Sequence, residues 1–137
     1  MNLNAYLHFN GNCEEAFKFY EKAFGVKTIM KMSYGEAPPG GGPTPPGFEK
    51  KIMHTRIQVG NTMLMGSDAP PERFHKPQGF SVNIDCQKPE EADKVFQALS
   101  DGAQIVMPIQ KTFWADRFGM LIDKFGTSWM VNCETHR

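Results

Sequence analysis

Apolar residues recur along this chain at two periods, and the period switches in the same order twice. Between Asn12 and Gly25, the residues Cys13, Ala16, Phe17, Tyr20 and Phe24 fall on one face of a helical wheel, the spacing of an amphipathic helix. Asn12 is placed to cap that helix, Glu15 to complete a capping box, and Gly25 to end it. Between Lys88 and Gly102, a second stripe is formed by Ala92, Val95, Phe96 and Leu99. Pro89 suits the first turn of this helix, and Glu90 and Glu91 suit its positive end. Both segments open on a Glu-Glu-Ala triplet and close on glycine. Large aromatics at helical spacing read as core rather than as a cofactor box.

Around each helix the pattern changes to short runs rich in β-branched and aromatic residues. Residues 4–10 precede the first helix, and residues 26–32, 51–59 and 62–65 follow it. Gly60-Asn61 is a tight turn that pairs the last two as a hairpin. Residues 80–85 precede the second helix, and 104–107, 119–122 and 128–133 follow it, with Phe125-Gly126 marking the last turn. One strand, a helix and three strands, performed twice, predict an α+β fold of two tandem βαβββ modules with a mixed, mostly antiparallel sheet. Module one spans about residues 1–68 and module two about 77–137 of a single domain.

Composition narrows the function classes. The chain has 137 residues with 15 Lys plus Arg and 15 Asp plus Glu, a formal net charge of zero. Nucleic acid is therefore not an expected partner, because phosphate contacts need an excess of positive charge. No apolar run approaches the ~20 residues that cross a bilayer, and residues 1–4 do not begin a leader pattern. Cys13, Cys86 and Cys133 are odd in number and widely spaced, which fits small buried hydrophobes in a reducing cytoplasm. Residues 37–47, APPGGGPTPPG, cannot be helix or ladder and read as a mobile loop between two strands.

The second half carries Lys111-Thr112-Phe113-Trp114, then Ala115-Asp116-Arg117-Phe118-Gly119, Asp123-Lys124-Phe125-Gly126 and Trp129-Met130-Val131-Asn132. The first half carries Tyr6-Leu7-His8-Phe9-Asn10-Gly11-Asn12-Cys13-Glu14-Glu15-Ala16, Ser33-Tyr34-Gly35-Glu36 and Gly66-Ser67-Asp68. With the repeat, these motifs resemble the PhnB-type proteins of the vicinal oxygen chelate superfamily, often labelled demethylubiquinone methyltransferase-like. That superfamily includes glyoxalase I, extradiol dioxygenases and the bleomycin and fosfomycin resistance proteins. The hallmark Glu-Thr-Phe-Trp here begins with Lys111. The resemblance implies a curved sheet around a small-molecule cavity, and a homodimer, the commonest form of oligomer.

The resemblance also implies four inward-facing metal-ligand positions, two per module. Carried over, they fall on Ala5, Met65, Gly79 and Met130, none of which offers an oxygen or imidazole ligand to a divalent cation. No metal is therefore expected, and no other cofactor. Gly40-Gly41-Gly42 sits among prolines rather than at the strand-to-helix turn that cradles a nucleotide. A one-residue shift of register would bring other side chains inward, and His8 and His54 would then be the candidate ligands, although both also read as exposed or hydrogen-bonded structural residues; His75 and His136 lie in a proline-rich loop and at the terminus. The expected pocket is lined by Tyr34, His54, Arg56, Met65, Trp114, Arg117, Phe118 and Met130, with Trp114 and Phe118 flanking a short loop before a strand. Trp129 alternates with Met130 and reads as core. Glu36, His54 and Asp68 are the candidate catalytic residues, although Asp68 and Asp123 also suit turn capping. Four functions stay open: metal-free binding of a small molecule, a metal-dependent lyase, dioxygenase or thiol transferase with a displaced site, a metal-free acid/base enzyme, and a purely structural dimer.

Overall fold

The computed structural model describes residues 1–40 and 42–134, so His136 and Gly41 lie outside the described residues. The chain divides into two compact units, Met1–His75 and Lys76–Arg137. The first contains β1 (Ala5–Phe9), α1 (Cys13–Phe24), β2 (Thr28–Ser33), β3 (Ile52–Val59) and β4 (Thr62–Asp68), with a 3-10 turn at Tyr34–Glu36. The second contains β5 (Val82–Asp85), α2 (Pro89–Leu99), β6 (Gln104–Gln110), β7 (Ala115–Ile122) and β8 (Ser128–Glu134). The strand orders are β1-β4-β3-β2 and β5-β8-β7-β6. In each sheet the first strand runs parallel to the last, and the other pairs are antiparallel. The expected α+β fold of two tandem βαβββ modules is the observed one, with its strands divided between two four-stranded sheets.

Each sheet buries one face under its helix. In the first unit α1 packs on β3 and β4, with Cys13, Ala16, Phe17 and Tyr20 buried. Beneath them lie Leu7, Phe9, Ile57 and Leu64, all buried. Phe9, Phe17 and Tyr20 meet with ring centroids 5.5–6.5 Å apart, and burying each such ring contributes about 2 kcal/mol. In the second unit α2 packs on β7 and β8 through Ala92, Phe96 and Leu99. Two strand glycines make room for the helix aromatics. A Cβ on Gly66 would sit 2.5 Å from the Phe17 ring, and one on Gly119 2.6 Å from the Phe96 ring and 3.1 Å from the Ile109 backbone.

The helix ends separate local from long-range causes. Gly25 ends α1 in the left-handed region at φ 67°, its N–H donating to Glu21. The expected Asn12 capping box does not form: Asn12 makes no side-chain cap bond. Instead the Asp68 carboxylate, from the far end of β4, accepts the Cys13 N–H at 2.9 Å. A buried charge at the positive helix end does the work of the cap.

Several strands are longer than expected. β4 runs on to Asp68, β6 to Gln110, and β7 starts at Ala115. Arg117 and Phe118 therefore lie within a strand, not in a loop before one. The 37–47 loop leaves and returns beside anchored residues. Tyr34 and Gly35 donate backbone bonds to Lys51 and Glu49, and the Tyr34 ring meets buried Phe48 at 5.6 Å.

Candidate functional site

The two faces of the first sheet differ in kind. Register places Leu7 beside Gly66, and Thr55 beside Gly66, so these residues share the face under α1. By alternation, Tyr6, His8, Met30, Met32, His54, Arg56, Met63, Met65 and Ser67 share the opposite, open face. Tyr6 and Arg56 both pair with Met65, Arg56 also pairs with Met30, and His54 pairs with Met32. The Tyr6 hydroxyl lies 3.3 Å from His54 Nδ1. The Tyr6 ring stands 5.2 Å from the His8 ring and 5.7 Å from the His54 ring. Three of the expected pocket residues, His54, Arg56 and Met65, thus come together with two polar aromatic neighbours.

Ala5 pairs with Leu64 on the helix side, so the carried-over first-strand position does not share a face with Met65. Tyr6 and His8 do. Gly79 lies outside β5, in a bend with φ 85°, and Met130 pairs with Asn83 and Met120 on the open face of the second sheet.

The three catalytic candidates have separate surroundings. Asp68 is 1% exposed; one oxygen accepts from Cys13 and the other from the Ile52 N–H at 2.9 Å. Both oxygens serve the backbone on the helix side. Tyr34 donates its hydroxyl to the Asp68 carbonyl at 2.8 Å, and burial raises the Tyr34 pKa, with Asp68 adding to it. Glu36 accepts from the Ser33 N–H at 3.1 Å and the Ser33 hydroxyl at 2.8 Å. These bonds hold its carboxyl below the usual range, which makes it a weaker base. Of the three, His54 alone presents a titratable group on the open face.

In the second unit, Phe118 pairs with Asn132 and Met120 with Met130, so Phe118 and Met130 share the open face. Trp114, 44% exposed, contacts Phe118 with ring centroids 5.3 Å apart. Arg117 does not belong there. Its Nε lies 3.0 Å from Asp93 Oδ1 on α2, an ion pair without hydrogen-bond alignment. A register shift between Ala115 and Arg117 turns this side chain toward the helix. A polar group not anticipated from sequence, Asn83, Asp85 and Asn132, shares the open face. Asp85 accepts from Asn83 at 3.0 Å and from Asn132 at 3.4 Å. Trp129 is core, 1% exposed, and donates from Nε1 to Asp123 at 2.7 Å.

The cysteines are free and buried. Burial pushes the Cys86 thiol up to about 12, helped by Glu91, and raises Cys13 and Cys133 as well. All three stay protonated at neutral pH, which suits packing rather than nucleophilic chemistry.

Paired βαβββ units with these strand orders define a class. A glyoxalase/bleomycin resistance/dioxygenase family enzyme from Burkholderia phytofirmans has the same fold at 16% identity, with a TM-score of 0.65 over 96% of this chain and 98% of its own. The two chains share this architecture. Residues 2–132 match the family described as 3-demethylubiquinone-9 3-methyltransferase, and the chain belongs to that PhnB-type family. The protein PA1353 from Pseudomonas aeruginosa is 39% identical, with a TM-score of 0.89 and 99% of each chain covered. Protein YjdN from Escherichia coli is 35% identical over 96% of this chain and 95% of its own length. A putative 3-demethylubiquinone-9 3-methyltransferase, PhnB protein, from Bacillus cereus is 27% identical, with a TM-score of 0.77 and coverage of 97% and 99%.

The family description implies a methyl donor of nucleoside type, and the residues present do not fit one held in the usual way. The turn between β1 and α1 is Asn10-Gly11-Asn12, and that between β5 and α2 is Cys86-Gln87-Lys88, neither of them glycine-rich. At α1 the Cys13 N–H already bonds Asp68, and at α2 the first residue is Pro89, with Glu91 accepting the Gln87 N–H at 3.0 Å. A resident divalent metal fits no better. Among the described residues no three His, Cys, Asp or Glu side chains are grouped to hold one, and Asp68 faces away from His8 and His54.

Proposed function

We propose that this protein binds a small molecule on the open face of its first sheet and works without a resident catalytic metal. The observation that carries this reading is the convergence of Tyr6, His8, His54 and Arg56 among methionines on a face that no helix of that unit covers. Few, well-placed polar groups on an adaptable apolar bed are what a binding site needs. A second reading, acid/base catalysis without metal, is favoured by the 3.3 Å contact between Tyr6 and His54, which sets a phenol and an imidazole within hydrogen-bond reach of each other. A displaced metal site is the weaker reading, because the face offers two imidazoles and no carboxylate.

The test is elemental analysis of untagged protein before and after adding Zn, Mn, Fe, Ni and Mg singly. We expect less than about a tenth of an equivalent of each, followed by ligand-dependent thermal stabilisation in a compound screen. Near-stoichiometric metal that is lost in His8→Ala or His54→Ala would overturn the metal-free reading.

A homodimer belongs to the same proposal. Ile105 and Val106 on edge strand β6 are 42% and 52% exposed, and Phe113 and Trp114 are 94% and 44% exposed. An apolar edge strand of this kind is a liability unless covered. Sedimentation equilibrium at micromolar concentration is expected to give twice the 15.4 kDa chain mass; a monomer throughout would reject the dimer. Three buried, protonated thiols support a reducing compartment such as the cytoplasm.

A further inference from the structure

We infer that the ligand of this face is an organic anion: one carboxylate or phosphoryl group held by Arg56, with a flat apolar body lying on the methionines. This rests on the small-molecule reading above and adds the chemical class.

Asp68 is the sole carboxylate in β1 to β4, and both of its oxygens are turned to the Cys13 and Ile52 amides. Two cations stand in these strands, Lys31 and Arg56. Lys31 pairs across the register with Thr55, on the helix side, and its Nζ bonds Glu14 of α1 at 3.0 Å. Arg56 is left on the open face with no ion pair among the described residues. Arg56 is exposed on an interior strand with no carboxylate of β1 to β4 beside it, so its guanidinium fork is free to take an anion.

The neighbours shape the rest of the ligand. Met30 and Met65 are the register partners of Arg56 on its two sides, and Tyr6 is the next partner beyond Met65. Met30, Met32 and Met65 are half-buried. Thioethers pack favourably on flat π-systems, and Tyr6 and His8 add ring faces. The hydroxyl of Tyr6 and the imidazole of His54 lie one row along and can donate to the anion or to a polar substituent. A cationic or neutral polar ligand would leave Arg56 unpaired and desolvated, which disfavours it.

The experiment measures dissociation constants of 1-naphthoate, 1-naphthyl phosphate and neutral 1-naphthamide by isothermal titration calorimetry. The wild-type chain is compared with Arg56→Met and, as a control on the opposite face, Lys31→Gln; circular dichroism confirms folding. One or both anions are expected to bind, at least ten-fold more weakly to Arg56→Met and with unchanged affinity to Lys31→Gln. The amide should bind at least ten-fold more weakly than the better anion. The two anions distinguish a carboxylate from a phosphoryl head. If the amide binds as well as the anions and Arg56→Met changes nothing, anion recognition is overturned while the small-molecule reading survives. If none of the three binds the wild-type chain at millimolar concentration, the inference is rejected, and the screen of neutral and cationic compounds decides the broader reading separately.

Discussion

Replacing Asp68 with alanine is expected to lower the melting temperature by roughly 10–15 °C, from the loss of about 3–4 kcal/mol. The carboxylate is 1% exposed and bridges two elements distant in sequence. One oxygen closes the N-terminus of α1 through Cys13, and the other fixes the start of β3 through Ile52. Alanine leaves both amides buried without an acceptor, each costing ~1–3 kcal/mol. The favourable charge at the positive helix end is lost as well. Asp68→Asn keeps one acceptor but turns an NH₂ toward the other amide, so it should fall between the parent and alanine. Thermal unfolding followed by circular dichroism measures both. A melting temperature within about 2 °C of the parent for Asp68→Ala would show that the carboxylate is not structural and would return it to the catalytic candidates.

The same residue marks where the sequence was legible and where it was not. The repeat, both helices and the existence of all eight strands follow from periods of 3.6 and 2, which are local properties. Gly25 could be read as a helix stop because its left-handed conformation is a local demand. The α1 cap could not, because its acceptor comes from Asp68, at the far end of the sheet. Register was the other blind point. Alternation divides β1 into Ala5, Leu7 and Phe9 on one side and Tyr6 and His8 on the other, but it does not say which side meets the helix. The two largest apolar residues, Leu7 and Phe9, carried that signal: they share parity with Ala5 and take it to the core side. Tyr6 was missed for the same reason, although it alternates with His8. In β7 the register shift after Ala115 disturbs the alternation, so the strand reads as starting late and Arg117 reads as a pocket residue. Its Asp93 partner on α2 becomes visible only once strand and helix are packed together.

Asp123→Ala is expected to have a still larger effect, because this carboxylate serves three donors rather than two. Oδ1 accepts from the Phe125 N–H at 2.8 Å and the Thr127 N–H at 3.0 Å, and Oδ2 accepts from Trp129 Nε1 at 2.7 Å. The Asp123 backbone also donates to Thr127 and accepts from Gly126, so one residue organises the whole turn between β7 and β8. Trp129 is the largest fully buried side chain in the second unit, and its indole N–H has no access to water as a substitute. Three orphaned donors at ~1–2 kcal/mol each give a loss of about 3–6 kcal/mol, a large share of the 5–15 kcal/mol available to a domain of ordinary stability. Much of the variant should therefore be insoluble on expression, with the remainder melting roughly 10–20 °C below the parent. Trp129→Phe separates the contributions: it removes the indole donor but keeps the turn and most of the buried ring, so its loss should be smaller than that of Asp123→Ala. If Trp129→Phe proved as damaging as Asp123→Ala, the ring's packing, not the carboxylate's hydrogen bonds, would be what holds the end of this sheet.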